Sequence, residues 1–292
     1  MLPSFEIDLS LSGFVLRIES DLPIHAAPKF LPFLTKSTAP DLIGRIERTD
    51  HLPELSDDII HKDLCYRVHP DGRGGFLRSF FDAPRDLTPY AVSAWDADSQ
   101  VIRVCYLSKG SHCFSELDST LFHLGLERLL LQQERLCLHA ACVRTDVGGI
   151  LFSGPSGIGK STQAALWCQH RSAVEINGDR PILSRSGGGW LAWGSPYAGS
   201  SRCHINVSCP VRAVVMLCQG KRCSIRRLSL PEAFRAIWSG ITVNVWDTGQ
   251  VRRASDLALE LSTSVPVFAF TCTPDITAVE YLEQALKEVW TP

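Results

Sequence analysis

The sequence has almost no net charge: across 292 residues, 29 Lys and Arg stand against 31 Asp and Glu, which leaves −2. A protein that neutralises many phosphates carries a basic excess or stripe, and the densest basic cluster here, Lys221 to Arg227, is a short strand-like segment. Nucleic acid is therefore not an expected partner. Long hydrophobic runs are also missing. The apolar segment Val211 to Cys218 is less than half of the roughly 20 residues that a spanning helix needs. The start, Met1-Leu2-Pro3-Ser4-Phe5-Glu6, has no basic region ahead of an apolar stretch. The expectation is a soluble cytoplasmic protein with no membrane partner. The 11 cysteines include no C-x-x-C pair; their count is odd and the chain is long, so reduced thiols are expected in place of a disulfide framework. Cys137, Cys142, Cys168 and Cys218 sit in apolar runs, where a thiol acts as a small buried hydrophobe. His25, His51, His61, His69 and His112 fall at no ligand spacing, so they read as solvated or satisfied. Internal repeats and low-complexity tracts are absent.

What is present is ordinary globular composition, 45% hydrophobic and 21% charged, at a length that suits one large domain or two modest ones. Residues 1–112 alternate as strands: Phe5 to Leu9, then Phe14 to Ile18 across a Ser12-Gly13 turn, and two hairpins around Pro70-Asp71-Gly72 and Asp96-Ala97-Asp98. This predicts a β-rich N-terminal module. From Ser115 the period changes, and Ser115-Glu116-Leu117-Asp118 reads as a capping box opening a helix of about 18 residues. Short strands and helices then follow in turn, which predicts an α/β domain over 113–292 with a mixed sheet.

One motif is specific. Gly154-Pro155-Ser156-Gly157-Ile158-Gly159-Lys160-Ser161 fits G-x-x-x-x-G-K-[ST], directly after the apolar strand Ile150-Leu151-Phe152-Ser153 and before the helix opened by Thr162. In a chain of this length such a match arises by chance on the order of once in a hundred sequences. Glycines let the backbone curl so that successive N–H groups, with the start of the next helix, point at phosphate oxygens. Lys160 is then the group for the outer phosphates of a bound nucleotide, and the Ser161 hydroxyl takes one Mg2+ position.

Two further residues join this loop. Leu138 to Val143 is separated from Ile150 to Ser153 by too few residues for a parallel crossover, so the pair must be antiparallel. With Asp146 paired to Gly149, His139 lies opposite the loop near Ser156, beside the expected phosphates. Some twenty residues past Lys160, Asn177-Gly178-Asp179 ends a short strand, and Asp179 can hold Mg2+ or accept the proton of an attacking hydroxyl. The loop Trp193 to Arg202 is a candidate cleft lining, and one of Arg226 and Arg227 a candidate for transferring phosphate charge.

Over roughly Leu136 to Leu286 the chain resembles the kinase domain of the HPr kinase/phosphorylase family. Its relatives include kinases of lasso and other ribosomal peptides and, more distantly, ATP-dependent phosphoenolpyruvate carboxykinase. The resemblance rests on Leu138-His139-Ala140-Ala141, the hairpin into the Gly154 to Ser161 loop, and the acidic turn at Asp179. It implies an ATP- and Mg2+-dependent phosphotransferase acting on a hydroxyl of a peptide, protein or small molecule. The family's histidine falls on His139, its loop lysine and serine on Lys160 and Ser161, and its carboxylate on Asp179. Self-association is a further implication of the likeness. HPr kinases usually carry two adjacent aspartates at the acidic turn, whereas Gly178 precedes Asp179 here; the alternative is a non-catalytic ATP-binding module or maturation partner. No Asn-Lys-x-Asp marks a guanine reader, and no Leu-Ser-Gly-Gly signature marks a transport ATPase.

Overall fold

The computed structural model describes residues 4–95 and 100–290 and divides the chain into two compact units, Met1–Leu129 and Leu130–Pro292. The fold class is mixed α/β, with a nine-stranded mixed sheet in each unit. In the N-terminal unit the strands are β1 (Phe5–Leu11), β2 (Phe14–Ser20), β3 (Leu34–Thr35), β4 (Leu42–Arg48), β5 (His61–Lys62), β6 (Tyr66–Pro70), β7 (Phe76–Phe80), β8 (Ala91–Trp95) and β9 (Val101–Tyr106). Their spatial order is β3-β1-β2-β4-β9-β8-β7-β6-β5, and only β2–β4 and β4–β9 pair in parallel. Along β2 every second residue is buried, so Phe14, Leu16 and Ile18 share the core face, as the period-two pattern requires. The expected hairpin at Pro70-Asp71-Gly72 joins β6 to β7; the expected turn at Asp96-Ala97-Asp98 lies outside the described residues.

The single long helix expected from Ser115 is two helices, α1 (Leu117–Leu124) and α2 (Leu126–Gln132). Gly125 between them is left-handed at φ +73°, a conformation that ends an α-helix and that glycine adopts without steric cost. The capping box does not form. Glu116 holds the cap position without a side-chain bond, while the Ser115 hydroxyl donates to the His112 carbonyl and closes the preceding 3-10 turn.

The C-terminal unit contains β10 (Arg135–Cys137), β11 (Ala140–Arg144), β12 (Gly149–Ser153), α3 (Lys160–Arg171), β13 (Val174–Asn177), β14 (Ile182–Ser186), β15 (Gly189–Trp193), β16 (Ser208–Gln219), β17 (Ser224–Arg227), α4 (Leu230–Trp238), α5 (Thr248–Ser264), β18 (Val267–Cys272) and α6 (Ile276–Trp290). The main order is β10-β14-β15-β16-β12-β11-β13, with β18 parallel to β16 and antiparallel to β17. Side chains alternate across β11 and β12. Ala140, Cys142 and Leu151 pack with Ile237, Leu257 and Leu261 of α4 and α5. Ala141, Val143, Ile150 and Phe152 pack with Trp167, Val279 and Leu282 of α3 and α6. Helices thus cover both faces, and β12 is buried at every residue, which is why its sequence is an unbroken apolar run.

The hairpin β11–β12 is antiparallel as expected, but its register is two residues from the expected one. Arg144 pairs Gly149 and Ala140 pairs Ser153. The Thr145 N–H donates to the Gly148 carbonyl at 2.8 Å, and the Thr145 hydroxyl reaches the same oxygen. The loop is therefore Asp146-Val147, closed by Thr145 and Gly148. Of the cysteines assigned to apolar runs only Cys142 is buried; Cys137 and Cys168 are half-buried and Cys218 is exposed, and all 11 are free thiols. Among the described residues, no helix is long and apolar enough to cross a membrane.

Candidate functional site

The residues Gly154 to Gly159 run from β12 into α3. Gly154, Gly157 and Gly159 take φ values of +143°, +77° and +113°, so the curl asked of the glycines is realised at three positions that other residues resist. Gly159 caps α3 with no side-chain bond. The first backbone N–H groups of α3 have no intrahelical acceptor, as at any helix start, and carry the positive end of the helix dipole. Ser156, Lys160, Ser161 and Thr162 border a cavity of about 240 Å³ at this end of the helix; His139 and Asp179 close it on another side. Of His139, Asp179 and the residues from Gly154 to Thr162, all except Gly154, Pro155 and Ile158 line the cavity. Gly154 and Pro155 instead present carbonyls that accept bonds of 3.0 and 3.2 Å from Lys160 Nζ, and Ile158 lies beneath the loop near Gly154.

Lys160 is 8% exposed. Burial lowers its pKa, and the Asp179 carboxylate opposes that shift. A desolvated ammonium held by two carbonyls gains from any anion brought to it.

His139 occupies the break between β10 and β11, because the expected strand Leu138 to Val143 splits there. Its N–H donates to the Gly240 carbonyl at 2.8 Å, and its carbonyl accepts from the Ser153 hydroxyl at 2.9 Å. Fixed at both ends of its peptide, it sets Nε2 3.1 Å from Asp179 Oδ1. Burial is the main cause of a lowered His139 pKa, Lys160 lowers it further, and Asp179 works against both. The lowered pKa favours the neutral ring; since a carboxylate only accepts, Nε2 carries a proton and donates a hydrogen bond to Asp179.

Asp179 is placed by Asn177, which is fully buried. Asn177 Oδ1 accepts from the N–H groups of Asp179 (3.0 Å) and Arg180 (2.7 Å), and Nδ2 donates to the Ser195 carbonyl and hydroxyl at 3.1 and 3.2 Å. The other carboxylate oxygen, Oδ2, lies 3.5 Å from Arg180 Nε. The sequence assigns Asn177 only to a turn and Ser195 only to the cleft loop; an Asn two residues before the acid is the signature of an Asx turn, and the structure shows that turn holding Asp179.

The loop that carries Gly199 and Ser200 completes the cavity, in agreement with the cleft role expected of Trp193 to Arg202. It packs so closely that a Cβ on Gly199 would stand 2.8 Å from Asp179 Cβ. The same crowding accounts for Gly178: a Cβ there would meet the Ser201 hydroxyl and stand 2.6 Å from both Ser201 Cβ and Glu175 Oε1. A second aspartate does not fit this turn as it is built. Arg226 and Arg227 are not at the site. Arg226 forms a two-pronged pair with Glu232 at 2.8 and 3.1 Å across the start of α4, and neither arginine lines the cavity.

A larger groove of about 740 Å³ lies on the N-terminal unit between Glu6, Glu19, Asp21 and Arg45. Within it Arg45 pairs with Glu19 at 2.7 Å, and nearby the Tyr106 hydroxyl donates to Asp21 at 2.7 Å.

No family model matches this chain, and no curated protein matches it. Among solved structures it is similar to the Hpr(Ser) kinase/phosphatase from Coxiella burnetii, at 14% sequence identity over 52% of this chain and 96% of that one, with a TM-score of 0.34. The functional reading rests on the geometry of the site itself.

Proposed function

We propose that the C-terminal unit is an ATP-dependent phosphotransferase that passes a phosphoryl group to a hydroxyl of a peptide, protein or small-molecule acceptor. The observation that carries the reading is the convergence of Lys160, Ser161, His139 and Asp179 on one cavity at the N-terminus of α3. The donor set fits the groups it would hold. Three left-handed glycines and the first turn of α3 offer backbone N–H groups to phosphate oxygens. Ser161 and Asp179 are hard oxygen donors of the kind Mg2+ takes. Bound there, Mg2+ supplies charge neutralisation to the phosphates.

In this reading Lys160 exchanges the carbonyls of Gly154 and Pro155 for phosphate oxygens, which compensates its desolvation. Asp179 accepts the proton of the attacking hydroxyl as the new O–P bond forms and the bond to the leaving diphosphate breaks. His139, through its Nε2 bond, keeps one carboxylate oxygen oriented, and neutral imidazole adds no charge that would stabilise Asp179 against protonation.

The test is to incubate the protein with γ-labelled ATP, Mg2+ and a fractionated extract of its source cells, beside Asp179→Asn. Label on an acceptor that disappears in Asp179→Asn while ATP binding persists is the expected result. Equal labelling by the variant overturns the role of Asp179. Binding without any transfer leaves a non-catalytic ATP-binding module.

A further inference from the structure

The sequence places Asp82 thirty residues before the adjacent pair His112-Cys113, a spacing that signals nothing. The fold of the N-terminal unit brings them together: one carboxylate oxygen, one imidazole nitrogen and the thiol sulfur all lie within 4.8 Å of one another. This cluster belongs to a different unit from the phosphate loop, and the proposed phosphotransfer does not use it.

We propose that Asp82, His112 and Cys113 form a binding site for a divalent transition metal of borderline softness, zinc foremost. Three observations support it. First, Cys113 Sγ and His112 Nε2 are 3.4 Å apart. With Zn–S near 2.3 Å and Zn–N near 2.0–2.1 Å, a tetrahedral ion separates the two donors by about 3.6 Å, so they already stand at ligand spacing.

Second, the imidazole is oriented from behind. His112 Nδ1 lies 3.1 Å from the Lys109 carbonyl, which can only accept; the proton is therefore on Nδ1, and the lone pair of Nε2 faces Cys113. A histidine whose second nitrogen is tied to a carbonyl is the arrangement found behind metal-ligating imidazoles.

Third, the backbone on both sides is anchored while the donors stay reachable. Phe81 and Phe114, the neighbours of Asp82 and Cys113, are 4% and 0% exposed. Asp82 and His112 are exposed and Cys113 is half-buried.

The donor types choose the ion. One nitrogen, one thiolate and one carboxylate suit zinc or cobalt, whereas magnesium and calcium demand oxygen shells. Thiolate and carboxylate together balance the charge of a divalent ion. With three protein ligands, water holds the fourth position, which is the composition of an open site and not of a closed structural one.

The experiment is a cobalt titration of the full-length protein, previously stripped with chelator and kept reduced, read by the thiolate-to-cobalt charge-transfer band and then by displacement with zinc. The expected result is one equivalent of cobalt with a charge-transfer band that zinc abolishes. Cys113→Ser should lose the band, and His112→Ala and Asp82→Asn should each weaken binding at least tenfold. Because the His112 side chain is exposed, His112→Ala keeps the test informative if Cys113→Ser folds poorly. A band of unchanged intensity and affinity in both Cys113→Ser and His112→Ala, showing that another of the 11 thiols is the ligand, overturns the site. So does the absence of stoichiometric binding in the parent protein.

Discussion

His123 should make the stability of the N-terminal unit depend on pH, in a direction and amount that its surroundings set. The side chain is 2% exposed and packed against the rings of Phe80 and Phe114 at 4.4 and 4.6 Å. Nδ1 lies 2.6 Å from the Ser119 carbonyl and Nε2 2.8 Å from the Tyr90 hydroxyl. The neutral ring therefore donates through Nδ1 and accepts the Tyr90 O–H through Nε2, so a second proton has to displace that bond. Burial, resisted by the Ser119 bond and reinforced by the nearby Arg78 guanidinium, moves its pKa from 6.5 to about 4. The unfolded chain thus binds a proton that the folded one refuses. The stabilisation is complete above pH 6.5 and is lost as pH falls toward 4. Between pH 7.5 and pH 5 the linkage integral is about 2 kcal/mol, or about 30-fold in the opening equilibrium. Hydrogen exchange of the amides in α1 and β7, corrected for intrinsic rates and recorded with chelator present, reads the opening of this unit alone. The parent should lose about 30-fold more protection over that range than His123→Gln, which cannot titrate. Identical pH slopes in the two proteins would refute the reasoning.

Substitutions at two positions probe how the acidic turn is built. Gly178→Asp, which restores a pair of adjacent carboxylates, should lower stability by about 1–3 kcal/mol through the collision with Ser201 and Glu175; thermal unfolding would register this, and phosphotransfer should not rise. Asn177→Ala removes the acceptor of two N–H bonds and the donor to Ser195 in a fully buried site. It should cost about 2–4 kcal/mol in denaturant unfolding and reduce transfer more than ATP binding, and Asn177→Asp should not rescue it, because a carboxylate cannot donate to the Ser195 carbonyl.

The tight turn from Gly154 to Gly159 was legible because its glycines sit at fixed spacing, so local backbone geometry alone writes the pattern. The antiparallel sense of β11 and β12 was legible for a related reason: six linking residues forbid a crossover. Their register was not, since it depends on which residues close the turn, and the Thr145 hydroxyl with Gly148 moved that choice by one position at each end. The break of the long helix at Gly125 was also missed: its flanking residues keep a helical apolar spacing, and one glycine is tolerated in many helices. β15 has no counterpart among the expected strands, because Trp190 to Trp193 is too short to show its alternation. The association of Asp82 with His112 and Cys113, and the crowding of Gly178 by Ser201, arise only when distant segments pack, so no local pattern could carry them.

The central claim is that the loop around Lys160 holds the phosphates of a nucleotide. Its most direct test is calorimetric titration of MgATP into the full-length protein and into Lys160→Ala. The account predicts saturable binding by the parent. A charge-assisted bond is worth about 1.5–3 kcal/mol, so the variant should bind about 10- to 150-fold more weakly. Equal affinity in the two proteins, or no binding by the parent, would contradict it.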